Sequence, residues 1–263
     1  VSAGALVTFA LDSEDHRTIF GMDVEWADMF LKQTQDGPTV GPPFLVETRP
    51  EGKHYDYDVT STNVAAYVQT DWAVDERFSI AAGLRLDYIA YDYNNRMLDG
   101  NTRDDGTPCG FGGCLYSRPA DRSDSFANFA PKVTLSYRFS DTVSGYGSLS
   151  RGFRAPQATE LYRLQSGQEV ADLKSERLDA FEIGARRITG DLSLDVAYFA
   201  MRKRNSVYRD ADGFNVTGAA SLHRGIEATV DWQFADAWSV ALNATYARHT
   251  YDFDVVGSRG ETF

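Results

Sequence analysis

Apolar and polar residues alternate along most of this chain. From Thr18 to Trp26, Phe20, Met22, Val24 and Trp26 share one face, and Gly21, Asp23 and Glu25 share the other. The same period of two runs through Asn63–Trp72, Phe78–Tyr91 and Phe129–Phe139. It returns in Ala180–Arg187, in Leu192, Leu194, Val196 and Tyr198, in Ile226–Phe234, and from Trp238 to Tyr246. Gly4–Leu11 and Tyr146–Ser150 add two more segments. Successive strand side chains point to opposite sides, so the pattern predicts about ten strands forming a sheet with one apolar face.

The connections fall into two kinds that take turns. Asp12–Asp15, Asp75–Arg77, Ser140–Thr142, Thr189–Asp191 and Ala235–Ala237 are short and polar. Gly37–Lys53, Asn94–Asp124 and the stretch after Ser150 are long and irregular, Asp210–Gly213 is a moderate loop, and the last dozen residues open another. Gly152, Ala155 and Pro156 are expected to break the Tyr146 strand. A sandwich core would also explain one apolar face, but three features favour lipid. The strands exceed the usual five or six residues. Aromatics recur beside the short turns (Trp72, Phe78, Tyr137, Phe139, Trp232, Phe234, Trp238), as an interfacial girdle places them. Connections alternate short and long, as in an up-and-down membrane barrel.

Composition agrees. Aromatics make up 13% of the 263 residues, with 14 Tyr and 16 Phe, which suits strands. A net charge of −12 argues against nucleic acid as a partner. No run of about 18 apolar residues suggests a membrane helix, a criterion that barrel strands do not have to meet. The N-terminus, VSAGALVTFALD, lacks the pattern of a signal peptide, so the chain is expected to begin mid-protein. Cys109 and Cys114 flank four residues, three of them Gly. That spacing predicts a disulfide in a loop, whereas a metal site would need further Cys or His nearby.

Catalytic motifs are weak, and neither an enzyme nor a bound cofactor or metal is expected. There is no His-Glu-x-x-His, and Ser150 misses the nucleophile elbow because Ser148 stands where Gly is needed. His16, His54, His223 and His249 are scattered, and each is expected to be solvated or interfacial. Gly145-x-Gly147 precedes no helix, and Asp210–Asn215 lacks calcium-loop spacing.

Four separated runs carry a family likeness: Ser150-Arg151-Gly152-Phe153-Arg154-Ala155-Pro156, Glu160-Leu161-Tyr162, Asp172-Leu173-Lys174-x-Glu176 and Phe181-Glu182-Ile183-Gly184. In this order and spacing they closely resemble the mid-barrel signature of TonB-dependent outer-membrane receptors. Val170, Ala171 and Ser175 depart from it, since the family usually has Asn-Pro and Pro there. Phe20–Asp23, Tyr67-x-Gln69, Gly83–Asp87, Phe129-x-Pro131-Lys132, Tyr198-Phe199 and Arg224–Glu227 extend the resemblance over nearly the whole chain.

The resemblance implies an all-β, antiparallel, up-and-down transmembrane barrel with short periplasmic turns and long extracellular loops. Residues 1–263 would be part of it, about ten strands of a barrel of about 22, so an isolated piece would leave two open edges. It implies the Gram-negative outer membrane with its lipid, TonB as partner through a plug domain outside this chain, and a ferric siderophore or similar bulky nutrient as ligand. Alone, the chain is expected to be incompetent for transport. Arg151, Arg154 and Arg163 would sit near the outer mouth, able to engage an anionic siderophore or to pair with Glu160, Glu169 and Asp172. Tyr91, Tyr93, Phe111 and Tyr116 would stack on ligand or pack their own loop. Two other readings stand beside this one. One is a passive porin-type barrel. The other is a secreted soluble β-protein, glycan-binding or hydrolytic, which would shield Val24, Leu135 and Val230 from lipid.

Overall fold

The computed structural model describes residues 1–253. Most of the loop expected over the last dozen residues therefore lies outside the described residues. Ten strands follow one another: β1 (Ser2–Asp12), β2 (His16–Gln35), β3 (Gly52–Ala73), β4 (Phe78–Asn95), β5 (Arg122–Ser140), β6 (Val143–Arg154), β7 (Glu176–Ile188), β8 (Leu192–Arg209), β9 (Asn215–Ala235) and β10 (Trp238–Tyr251). Two short helices, α1 (Pro43–Thr48) and α2 (Ala158–Tyr162), lie in long connections. Each strand pairs antiparallel with its sequence neighbours, in a single sheet ordered β1 to β10. This is an up-and-down wall, a partial barrel that does not close on itself.

Register keeps the two faces distinct across the wall. Phe20 lies opposite Val68, Val68 opposite Leu84, and Leu84 opposite Pro131. One residue away, Gly21, Tyr67 and Arg85 form a row on the other face. The apolar face is open: Phe20, Met22, Val24, Leu86, Leu135, Ile183, Ile226 and Leu242 are all exposed. A sandwich would cover this face with a second sheet, and the described residues form only one.

Several strands run far beyond their alternating segments. β2 spans 20 residues and β3 spans 22. The apolar rows of β2 end near Trp26, roughly ten residues from His16, which is about 33 Å along a strand. At the usual tilt that crosses about 25 Å, the height of the apolar band of an outer-membrane barrel. The remaining half of β2 and β3 projects beyond the band on the side of the long connections. There lipid no longer meets the outward side, and the long connections cover Tyr55, Tyr57 and Val59 on the other, so the apolar rows of the lipid face stop although the ladder continues.

Two expected boundaries shift for a related reason. The Tyr146 strand does not break at Gly152; β7 pairs with it as far as Arg154↔Glu176, and it ends at Ala155-Pro156. Pairing between β5 and β6 stops earlier, at Lys132↔Ser150. The next residue of β5 is Pro131, which has no N–H to offer a neighbour. Beyond it the two strands part, and the connection between β6 and β7 enters the gap.

Candidate functional site

A packed cluster occupies the long-connection end of the polar face. Tyr55, Tyr57 and Val59 continue the row of Tyr67 along β3, and Tyr93 comes from β4. The connection between β4 and β5 adds Cys109, Cys114 and Tyr116. The connection between β6 and β7 adds Leu161, Tyr162, Leu164, Ala171 and Leu173. Tyr93 stacks on Tyr162 with ring centroids 4.4 Å apart, and Tyr57 lies 5.1 Å from Tyr93. The Tyr162 hydroxyl donates to Asp124 Oδ2 at 2.9 Å, and the Tyr55 hydroxyl donates to the Leu164 carbonyl at 2.5 Å. Burial raises the Tyr55 and Tyr57 phenols to about 12, and Tyr93 and Tyr162 higher still, so all four stay neutral.

Arg118 ties the loop between β4 and β5 together. It is 1% exposed, and its guanidinium donates to the carbonyls of Leu98, His54 and Thr102 and to the Thr102 hydroxyl. Cys109 and Cys114 are joined by a disulfide in the same loop. His54 is buried, contrary to the expectation of a solvated histidine, and stacks 4.2 Å from Tyr116. Its pKa is lowered by burial first, against the raising effect of its bond to the Pro50 carbonyl. His223 and His249, distant in sequence, meet across β9 and β10 with Nδ1 atoms 2.6 Å apart.

The arginines expected at the mouth have three different fates. Arg154 donates from Nε to Glu176 at 2.8 Å and from both terminal nitrogens to Glu160 at 2.9 and 3.1 Å. Arg151 lies on the apolar face of the wall, not at the mouth, because β6 continues past it as strand; it pairs with Asp179 at 2.6 Å. The carboxylates these two arginines engage are Glu160, Glu176 and Asp179, in place of the expected Glu169 and Asp172. Arg163 remains exposed, donating to Gln33 Oε1 at 2.9 Å with its guanidinium 5.8 Å from the Tyr55 ring.

The four aromatics also divide. Tyr93 and Tyr116 are interior members of the cluster. Tyr91 is half-buried against Phe126, and Phe111 is 64% exposed at the loop tip, its ring edge-on to Phe44. Arg163, Tyr91 and Phe111 therefore keep surface that can meet a ligand. Tyr55, Tyr57 and Arg118 were not singled out from the sequence, and Tyr162 stood there only within the run Glu160-Leu161-Tyr162. The spacing Tyr55-x-Tyr57-x-Val59 could have flagged the first two, as strand alternation continuing toward a loop.

Glu176 joins strand and loop. Its carboxylate accepts from Arg154, from Lys203 at 3.0 Å and from the Val207 backbone N–H at 3.0 Å. Burial pushes its pKa up, but these three donors outweigh it and hold the carboxyl at about 2. The Val207 amide lies just past a β8 irregularity at Asn205, which has φ +56 and donates to the Ser175 carbonyl at 3.2 Å. Asn is among the few non-glycine residues that adopt this conformation readily.

The family model described as "TonB dependent receptor-like, beta-barrel" matches residues 2–262. The chain is 24% identical over 248 residues to the pesticin receptor of Yersinia enterocolitica, covering 91% of this chain and 33% of that protein. It is 25% identical over 213 residues to the ferric aerobactin receptor of Klebsiella pneumoniae, covering 73% and 28%. Among solved structures, the ferric yersiniabactin uptake receptor FyuA of Yersinia pestis superposes with a TM-score of 0.67 at 18% identity, over 95% of this chain and 35% of that one. The copper transporter OprC gives 0.71 at 16% identity, over 99% and 39%. The chain thus spans about a third or less of the length of these two curated relatives.

Proposed function

The chain belongs to the TonB-dependent receptor family, and from that premise we propose that it forms wall and outer mouth of an outer-membrane receptor for TonB-coupled uptake of a ferric siderophore. The single observation that carries this reading is the family match over residues 2–262. The placement of parts supports it. An exposed apolar band suits lipid, and the polar face carries fixed charge. Arg85 donates to Asp23 at 2.7 Å, reaching over β3 to β2, and to Asp87 on its own strand at 2.8 Å. The similar proteins include a ferric aerobactin receptor and a ferric yersiniabactin uptake receptor.

On this reading the buried tyrosine cluster is a support, not the contact surface. It fixes two long loops against β3 and β4, so the groups they present do not have to be ordered on binding. Arg163 supplies a guanidinium for an anionic ligand, and Phe111 and Tyr91 supply rings to stack on it. Energy coupling would come through a plug domain and TonB, with this chain providing the wall around the plug.

The test is uptake of radioactive iron, presented as ferric aerobactin or ferric yersiniabactin, into a receptor-null, iron-starved Gram-negative strain expressing the receptor that contains this chain. Uptake that requires TonB supports the reading. Arg163→Ala is then expected to weaken ligand binding at least tenfold with the barrel still assembled. Transport that persists in a TonB-null strain would favour the passive porin instead.

A further inference from the structure

His223 and His249 converge on the polar face of β9 and β10. They lie 26 residues apart in the chain but directly opposite each other in the ladder. Their Nδ1 atoms are 2.6 Å apart and their ring centroids 4.9 Å apart. Each has an arginine as a chain neighbour, but Arg224 and Arg248 have the other parity and project from the outer face. The row continues onto β8, where Met201 lies directly opposite His223. Side chains in such positions have Cβ atoms about 5 Å apart. An imidazole from each of two strands and a thioether from a third therefore share one patch of the polar face.

The two rings are oriented as ligands. The Ser221 hydroxyl lies 2.9 Å from His223 Nε2. With the Nε2–H donated to that oxygen, His223 Nδ1 carries a bare lone pair aimed at the other ring. Metal-binding histidines are held in this way, by a hydrogen bond from the nitrogen that does not ligate. His249 is exposed, so an ion has a route in from the polar side. An ion bonded to both nitrogens at about 2.0 Å holds them roughly 3–4 Å apart, so the rings need to separate by only about 1 Å. The nearest cation along the ladder is Lys203, opposite Ser221, and its charge is engaged with Glu176 at 3.0 Å.

The donor set selects the metal. Among the described residues no third His, Cys, Asp or Glu joins the pair. Calcium and magnesium need several oxygens, and a structural zinc site needs four ligands. Two imidazoles and a thioether form a soft set with few donors, which suits copper in its cuprous form. We propose that His223 Nδ1, His249 Nδ1 and the Met201 sulfur bind one cuprous ion. None of the three residues belongs to the packed tyrosine cluster, and the site does not depend on the ferric-siderophore reading.

The receptor that contains this chain would be purified in detergent and titrated anaerobically with cuprous ion, in competition with a chromophoric cuprous chelator. The double variant His223→Gln/His249→Gln is expected to bind one ion fewer than the wild type. The single variant His249→Gln, at an exposed position where the fold is not at stake, is expected to lose the same ion. Met201→Leu keeps the bulk and removes the sulfur, and is expected to weaken binding about tenfold or more. X-ray absorption at one equivalent of copper is expected to show sulfur beside nitrogen in the wild type and nitrogen alone in Met201→Leu. Equal stoichiometry in the wild type and either histidine variant overturns the proposal, leaving two rings that only share a hydrogen bond. A bound ion with no sulfur neighbour in the wild type overturns it as well.

Discussion

Arg118 and Glu176 show how single residues hold the outer loops. Arg118 satisfies three carbonyls and a hydroxyl from three directions. A lysine places its charge at one point and cannot serve them all. Arg118→Ala leaves those acceptors buried without a donor, at a cost on the order of 2–4 kcal/mol. The expected result is faster amide hydrogen exchange throughout residues 96–121, with the strands below unaffected. Glu176 sets a pH dependence. Its carboxyl is held at about 2, below its ordinary value of 4.5, so its stabilisation is complete above about pH 4.5 and is lost as pH falls toward 2. His54 acts at higher pH in the same direction. Burial lowers its pKa below 6.5, so its contribution is complete above that value and declines on acidification. Exchange in the loops should therefore begin to rise below about pH 6.5 and rise again below about 4.5. Glu176→Gln should remove only the second step, since the amide cannot titrate.

Among the strands, three cross-strand pairs set glycine against an aromatic on the polar face: Gly21 with Tyr67, Gly184 with Tyr146, and Gly225 with Phe199. A Cβ at Gly184 would come within 2.5 Å of the Tyr146 ring, and one at Gly225 within 2.7 Å of the Phe199 ring. The ring lies across the glycine, covering backbone that has no side chain of its own. Gly184→Val is expected to displace Tyr146 and cost about 1–3 kcal/mol, read as a lowered melting temperature in detergent. Gly152, in the next strand, has open space around its Cβ position. Gly152→Ala should leave the melting temperature nearly unchanged, which separates ring displacement from a general intolerance of side chains.

At the scale of the molecule, the wall presents lipid-like surface on one side and fixed charge on the other. Nitroxide lipids should quench fluorescent probes at Val24, Leu135 and Val230 strongly, and probes at Asp23 and Tyr67 weakly. Equal quenching on both faces would contradict the assignment of sides. The two ends of the wall also differ. Short turns such as 74–77 and 141–142 carry aromatics beside them, with Tyr137 and Phe139 5.1 Å apart and Trp232 and Phe234 5.5 Å apart. The long-connection end instead carries the tyrosine cluster inside and arginines outside.

Strand number, antiparallel order and the sides of the wall were legible in the sequence because they depend on local repetition, and the family because four separated runs between Ser150 and Gly184 resemble its signature. Period-two alternation is enforced residue by residue wherever one face meets lipid and the other does not. It ceased to report strands where that contrast ended, so the outer halves of β2 and β3 were missed although the ladder continues through them. The parity of Arg151 was equally within reach, but only once β6 was known to continue past Gly152. What the tertiary structure alone decided is which distant residues meet. Tyr93 was matched with Tyr162, Arg118 with the His54 carbonyl and Arg224 with Arg248. Each pairing depends on register and loop path, and those are fixed by the packing of the whole wall and leave no periodic trace in the chain.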